Sequence, residues 1–167
     1  NPSLIGAITG MVNSETVATA CSGTASYSCA ATTSSPAGTP VAIIPALGTL
    51  TSTNYSFTFV NGSLIITKAE LTVTGAVADN KPYDGNTNAT ITGAALAGVV
   101  GTDDVTLGNA TTGTFATSAA GVGINVVTAM TITGLASGNY TLTQPTLSAN
   151  IIGITLTVTG AIAASKP

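Results

Sequence analysis

Apolar and polar residues alternate along most of this chain. Tyr55-Ser56-Phe57-Thr58-Phe59-Val60 breaks at Asn61-Gly62 and resumes as Ser63-Leu64-Ile65-Ile66-Thr67. A period of two puts successive side chains on opposite faces of a strand. Asn-Gly between two such runs predicts a hairpin, because both central residues of a type I′ turn need positive φ. The same pattern predicts strands over Leu71–Val77, Asn88–Thr92, Val105–Leu107, Gly113–Thr117, Asn125–Ile132, Tyr140–Thr143 and Ile151–Val158. Turn clusters part them at Asp84-Gly85-Asn86, Gly101-Thr102-Asp103-Asp104, 118–123 and Ala136-Ser137-Gly138. No long segment carries the 3.6-residue period of an amphipathic helix. Short strands punctuated by turns predict an all-β, antiparallel sandwich fold. Its expected core includes Ile8, Val12, Val17, Ile43, Phe57, Phe59, Leu64, Ile66, Val73, Ile91, Leu96, Val105, Phe115, Val126, Met130, Ile132, Leu142, Ile151, Leu156 and Val158.

The pattern also repeats. Leu71-Thr72-Val73-Thr74-Gly75-Ala76 returns as Leu156-Thr157-Val158-Thr159-Gly160-Ala161, an offset of 85 residues, and each copy runs on to Lys-Pro (Lys81-Pro82, Lys166-Pro167). Asn54-Tyr55 and Asn139-Tyr140 keep the same offset. Gly10-Met11-Val12-Asn13-Ser14-Glu15 matches Gly98-Val99-Val100-Gly101-Thr102-Asp103 at an offset of 88, so a short insertion or deletion separates the two registers. A fixed period of this size marks tandem modules. We expect one module over 1–70, a second over 71–155, and in 156–167 the first strand of a further one. Asn1 falls in register with Asn86 and Pro167 with Pro82, so module 1–70 is expected to lack its own first strand. Leu156, Thr157, Val158, Thr159, Gly160 and Ala161 are then the expected inter-unit strand, filling that place beside residues 1–9 of the next unit either as covalent continuation or as non-covalent strand donation.

Composition narrows the functional classes. Charged residues make up 5% of the chain, against about 25% in ordinary soluble domains. Three lysines and a net charge of −3 cannot displace the counterions of nucleic acid, nor hold an anionic membrane surface. No apolar run reaches the ~20 residues of a membrane-spanning helix. Low charge with abundant Thr, Ser and Asn suits a surface that meets copies of itself outside the cell. Cys21 and Cys29, the only cysteines, suit a disulfide across a short loop in an oxidising compartment; the alternative is two free thiols.

These residues carry a family resemblance. Asn1-Pro2-Ser3-Leu4, Ile8-Thr9-Gly10, Asn54-Tyr55 and Gly62-Ser63-Leu64-Ile65-Ile66 resemble the MBG ("mostly bacterial glycine-rich") domain. Lys81-Pro82-Tyr83-Asp84-Gly85-Asn86-Thr87, Gly101-Thr102-Asp103-Asp104-Val105 and Gly138-Asn139-Tyr140 resemble the YDG domain. The strand and Tyr-Gly turn that usually open the first family are not in this sequence. Both families occur as repeats in very large secreted bacterial proteins of the filamentous-haemagglutinin and adhesin type. The resemblance implies two Ig-like β-sandwich modules in an extracellular array at the bacterial cell surface, and no enzymatic activity.

The residues themselves agree with that implication. Without His, and with no lysine in a Ser-x-x-Lys context, nucleophilic catalysis lacks a base. Asp84, Asp103 and Asp104 are conceivable calcium ligands or a glycosidase pair, but no calcium-loop spacing joins them. Lys68 with Glu70 is the one candidate for a Lys–Asn isopeptide crosslink. Thr-x-Thr pairs such as Thr72/Thr74 and Thr157/Thr159 offer a ladder for ice or a polysaccharide, although exposed strand faces need Thr in any case. No cofactor and no metal is expected. The reading is a structural repeat unit of a bacterial surface fibre or giant adhesin, its partners copies of itself. The alternative is a module binding surface glycan, ice or Ca²⁺.

Overall fold

The computed structural model describes residues 2–166. Asn1 and Pro167, which set the phase of the repeat at its two ends, lie outside the described residues. The chain divides into two compact units, with the division between Lys68 and Ala69.

The first unit holds a single helical turn, α1 (Val17–Ala20), and strands β1 (Ser26–Cys29), β2 (Val41–Ala46) and β3 (Gly62–Leu64). The strands form one antiparallel sheet in the order β1-β2-β3. β1 and β2 pair from Ser26↔Ala46 to Cys29↔Ile43. Their ladder is prolonged by Thr49 N–H donating to Thr24 O at 2.9 Å and by the Ser22↔Thr51 bridge. Alternation is visible in β2, where Val41, Ile43 and Pro45 are half-buried and the residues between them exposed. Yet Leu50 is the one buried apolar residue of this unit among those described. Ile8, Ile43, Phe57 and Leu64, expected in the core, are only half-buried, and Val12, Val17 and Phe59 are exposed.

The expected Asn61-Gly62 hairpin is not formed. Neither residue has positive φ, and β3 pairs with β2 (Val41↔Leu64, Ile43↔Gly62) rather than with Tyr55–Val60. The second run found a longer partner in β2, and the first run lies in no strand.

In the second unit eleven strands follow: β4 (Ala69–Thr74), β5 (Val77–Ala78), β6 (Lys81–Pro82), β7 (Asn88–Thr92), β8 (Ala95–Ala97), β9 (Thr106–Gly108), β10 (Thr112–Phe115), β11 (Gly121–Thr128), β12 (Thr131–Thr133), β13 (Tyr140–Thr143) and β14 (Leu147–Ile152). Six make one sheet, β5-β7-β10-β11-β14-β6. Three make another, β13-β4-β8, and β12 pairs with β9. Ile91, Phe115, Val126, Met130 and Ile151 of the large-sheet side form the core, with Val73, Leu107 and Leu142 of the smaller sheets packed against it. This is the expected all-β sandwich, with one correction: the pairing is mixed. β13 runs parallel to β4, and β14 parallel to β6.

Two other expectations are corrected here. The strand expected over Asn125–Ile132 is split at Ala129-Met130, where Gln144 intervenes: its Oε1 accepts from Thr128 Oγ1 (2.8 Å) and Met130 N (3.0 Å), and its Nε2 donates to Met130 O (2.8 Å). The last strand ends at Ile152, and residues 153–166 join no sheet. Leu156 and Val158, expected in the core, are therefore exposed.

The sandwich turns its corner on two glycines. After β4 the chain crosses to the large sheet through Gly75 (φ 69°), and after β7 it crosses back through Gly93 (φ 70°). A Cβ on Gly93 would lie 2.5 Å from Gly75 O, and one on Gly75 would lie 2.7 Å from Gly93 O. Both the backbone conformation and the close approach exclude a side chain. Gly93→Ala is expected to destabilise the second unit by more than about 1 kcal/mol, read as a lower urea midpoint with an unchanged m-value.

Candidate functional site

The two units share one construction around a tyrosine. In the second, Tyr140 opens β13, is buried, and donates its hydroxyl proton to Asp103 Oδ2 at 2.5 Å. The Tyr140 hydroxyl oxygen in turn accepts from Val100 N at 3.0 Å. In the first, Tyr55 donates to the Glu15 carboxylate and accepts from Val12 N at 3.2 Å. The acid-bearing turns match as well: Asp103 N donates to Val100 O (3.2 Å), and Glu15 N to Val12 O (3.1 Å). Gly98 and Gly10, which precede these turns, have φ of 97° and 92°. Glu15 and Asp103, each two residues before a Val, therefore clamp a tyrosine distant in sequence. From sequence, Asp103 was a conceivable calcium ligand or glycosidase carboxylate and the tyrosine was missed; the shared offsets were the available signal.

The hydrogen bond to the carboxylate pushes each phenol pKa above its ordinary value of 10.0. The carboxylate stabilises the protonated phenol, so the folded unit holds that proton more tightly than the unfolded chain does.

The Lys81–Asn86 segment is a lysine-centred turn. Lys81 Nζ donates to Asp84 Oδ1, Asn86 O and Asn86 Oδ1, each at 2.8 Å. Asp84 Oδ1 also accepts from Asn86 N, and Asn86 Oδ1 from Asn88 N. The Lys81 ammonium holds the Asp84 carboxyl below its ordinary pKa, and sits 5.6 Å from the Phe115 ring centre. This cluster of Lys, Asn and acid holds the turn that leads from β6 into β7.

The other singled-out residues are held apart. Asp104 accepts from Leu135 N (3.0 Å). Glu70 accepts from the Thr143 hydroxyl (2.6 Å), and Lys68 is exposed. Asp84, Asp103 and Asp104 thus serve three separate backbone or side-chain partners. Cys21 and Cys29 are free thiols, not the expected bridge. Cys21 follows α1 and Cys29 ends β1, with the Gly23 bend and the first residues of β1 between them.

Two features remain, both tied to the repeat. The first is an open groove of about 450 Å³ in the first unit. Residues 5–9 and Tyr55–Val60 line it, together with Tyr27, Ile43, Pro45 and Leu50, and no charged side chain is in the lining. The second is the expected inter-unit strand. Leu156 and Val158 are 90% and 91% exposed, as is the rest of Leu156, Thr157, Val158, Thr159, Gly160 and Ala161. Its earlier copy is β4, whose Leu71 has no exposure at all. Gly160 already has the bend of Gly75, with φ 73° against 69°. Among the described residues no helix is long and apolar enough to cross a membrane.

Residues 1–65 match the family model of the MBG domain (YGX type), and residues 67–149 that of the YDG domain. Both are repeat-type domains of large bacterial surface proteins. No curated protein and no solved structure matches the chain.

The clamps set an alkaline limit. Because the folded phenol pKa values are raised, the contribution of each clamp is full below pH 10 and is lost as pH rises through the folded value. Tyr140→Phe should lower the melting temperature of the second unit at pH 8, and remove the share of its alkaline destabilisation that the wild type shows above pH 10. Calorimetry across that range checks both.

Proposed function

Because the chain is an MBG domain (YGX type) followed by a YDG domain, we propose that it is a structural repeat unit of an extracellular bacterial surface fibre or giant adhesin. Successive units are stacked in tandem and joined by β-strand complementation. The observation that carries this reading is the duplicated tyrosine clamp. Two units with different family signatures keep the same tyrosine, acid and backbone N–H in the same spatial roles. That is how an array diversifies while each module keeps the same internal tie.

The surface chemistry supports the same reading. With 5% charged residues the units repel one another weakly. Thr-rich strands such as Asn88–Thr92 expose hydroxyls and methyls that tolerate close self-contact. The side chains offered by sequence for catalysis or metal binding are each engaged in holding a turn or a strand. In this reading the protein is not an enzyme, needs no cofactor, and has copies of itself as its partners.

Electron microscopy of the native material, with denaturing electrophoresis, tests the proposal. Ordered fibres or a very large repeat-bearing species are expected, with melting unchanged by a chelator. Isolated monomers whose melting falls on calcium removal would replace this reading by the ligand-binding one.

A further inference from the structure

The second unit shows what the groove of the first is shaped to hold. β4 is the middle strand of its sheet, between β13 and β8. It runs parallel to β13, with Tyr140↔Ala69, Leu142↔Leu71 and Thr143↔Thr72. It runs antiparallel to β8, with Thr72↔Ala97, Val73↔Leu96 and Thr74↔Ala95. The shared clamps map β13 onto Tyr55–Thr58 and β8 onto Ala7–Thr9. Both segments line the groove, and neither belongs to a strand. The first unit thus has the counterparts of both neighbours of a middle strand around one uncharged space.

We infer that this groove binds residues 154–159 of a second copy of the chain as a parallel-and-antiparallel middle strand. The inference rests on the array reading above and gives it a register. Carrying the pairings of β4 across by the repeat offsets sets Tyr55 opposite Ile154, Ser56 opposite Thr155, Phe57 opposite Leu156 and Thr58 opposite Thr157. On the other side Thr9 meets Thr157, Ile8 meets Val158 and Ala7 meets Thr159. Ile154, Leu156 and Val158 then face inward, as Ala69, Leu71 and Val73 do in β4.

Three observations choose this occupant. Residues 156–161 repeat the sequence of β4 and its corner, Leu71–Ala76, without change. They lie outside every sheet, with the Gly160 bend already set. Segment and groove lining are both uncharged, so insertion desolvates no ion. The insertion also answers the sparse packing of the first unit. It would cover the half-buried Ile8, Ile43 and Phe57 and pair the backbone of two lining segments that lie in no strand. Since donor and acceptor surfaces differ, the contact is head-to-tail and grows open-ended chains.

Sedimentation velocity of the full chain over a concentration series should show progressive oligomers. Leu156→Asp should weaken their association by roughly tenfold to hundredfold, the loss expected when a buried leucine is replaced. Because its groove is intact, the same variant mixed with wild type should cap and shorten the oligomers. A synthetic peptide of residues 153–162 should dissolve them in the same way. Register is read by a short thiol crosslinker in a chain with Cys21→Ser and Cys29→Ser. Ser56→Cys with Thr155→Cys should yield a covalent ladder, and Ser56→Cys with Thr159→Cys should not. Monomer at every concentration with no crosslink overturns the inference. Oligomers that survive Leu156→Asp, ignore the peptide, or crosslink only at the shifted position also overturn it. The array reading fails separately, on the microscopy of native material.

Discussion

The second unit depends on one strand held on both sides. β4 takes backbone hydrogen bonds from a parallel neighbour and an antiparallel one, and its Leu71 is fully buried. Its two neighbours are distant in sequence, so β4 is what joins β8 to β13. Tyr140, at the start of β13, then ties that strand to the turn after β8 through Asp103 and Val100. Take β4 away and both neighbours become edges, with unpaired amides and a strip of apolar side chains open to water. The first unit presents that arrangement: the clamp is in place, both lining segments are in place, and its buried apolar content among the described residues is a single leucine.

Much of the second unit was legible in the sequence, for a physical reason. Its strands are short, one face is buried, and alternation follows directly. The spans read for Asn88–Thr92 and Tyr140–Thr143 are those of β7 and β13, and Ile91, Phe115, Val126, Met130 and Ile151 are the core as expected. What alternation cannot give is partnership. It marked Tyr55–Val60 and Ser63–Thr67 as strand-like, but turn chemistry paired them with each other, while β2 outcompeted that local hairpin for β3. Nor does alternation give direction, and the two parallel pairings were read as antiparallel.

The candidate site was legible only as repetition. The exposed copy of β4 and the offsets of the tyrosines were in the sequence. The tyrosine-to-acid bond was not, because it links residues 40 and 37 positions apart whose only local signature is an acid near a turn. Gln144 was invisible for the same reason. A lone glutamine carries no pattern, yet three of its hydrogen bonds decide where β11 ends and β12 begins. Cys21 and Cys29 went the other way. Their spacing suited a loop, but β1 takes up the second half of the segment between them and both are free thiols.

The repeat also explains why so little charge is tolerable. A middle strand shared between units must be apolar on its inner face and hydroxyl-bearing on its outer one, which is the Leu-Thr-Val-Thr of both copies. Ions along it would have to be desolvated each time a joint formed. In the proposed array such a strand resists pulling well. Force along the chain runs parallel to the strand, while its hydrogen bonds lie across it. The bonds on both sides are then loaded together, in shear, rather than opened one after another from an end. Cohesion in that arrangement depends on how many backbone bonds a joint contains. A strand flanked on two sides roughly doubles that number over an edge-to-edge contact of the same length, with no added charge and no added surface.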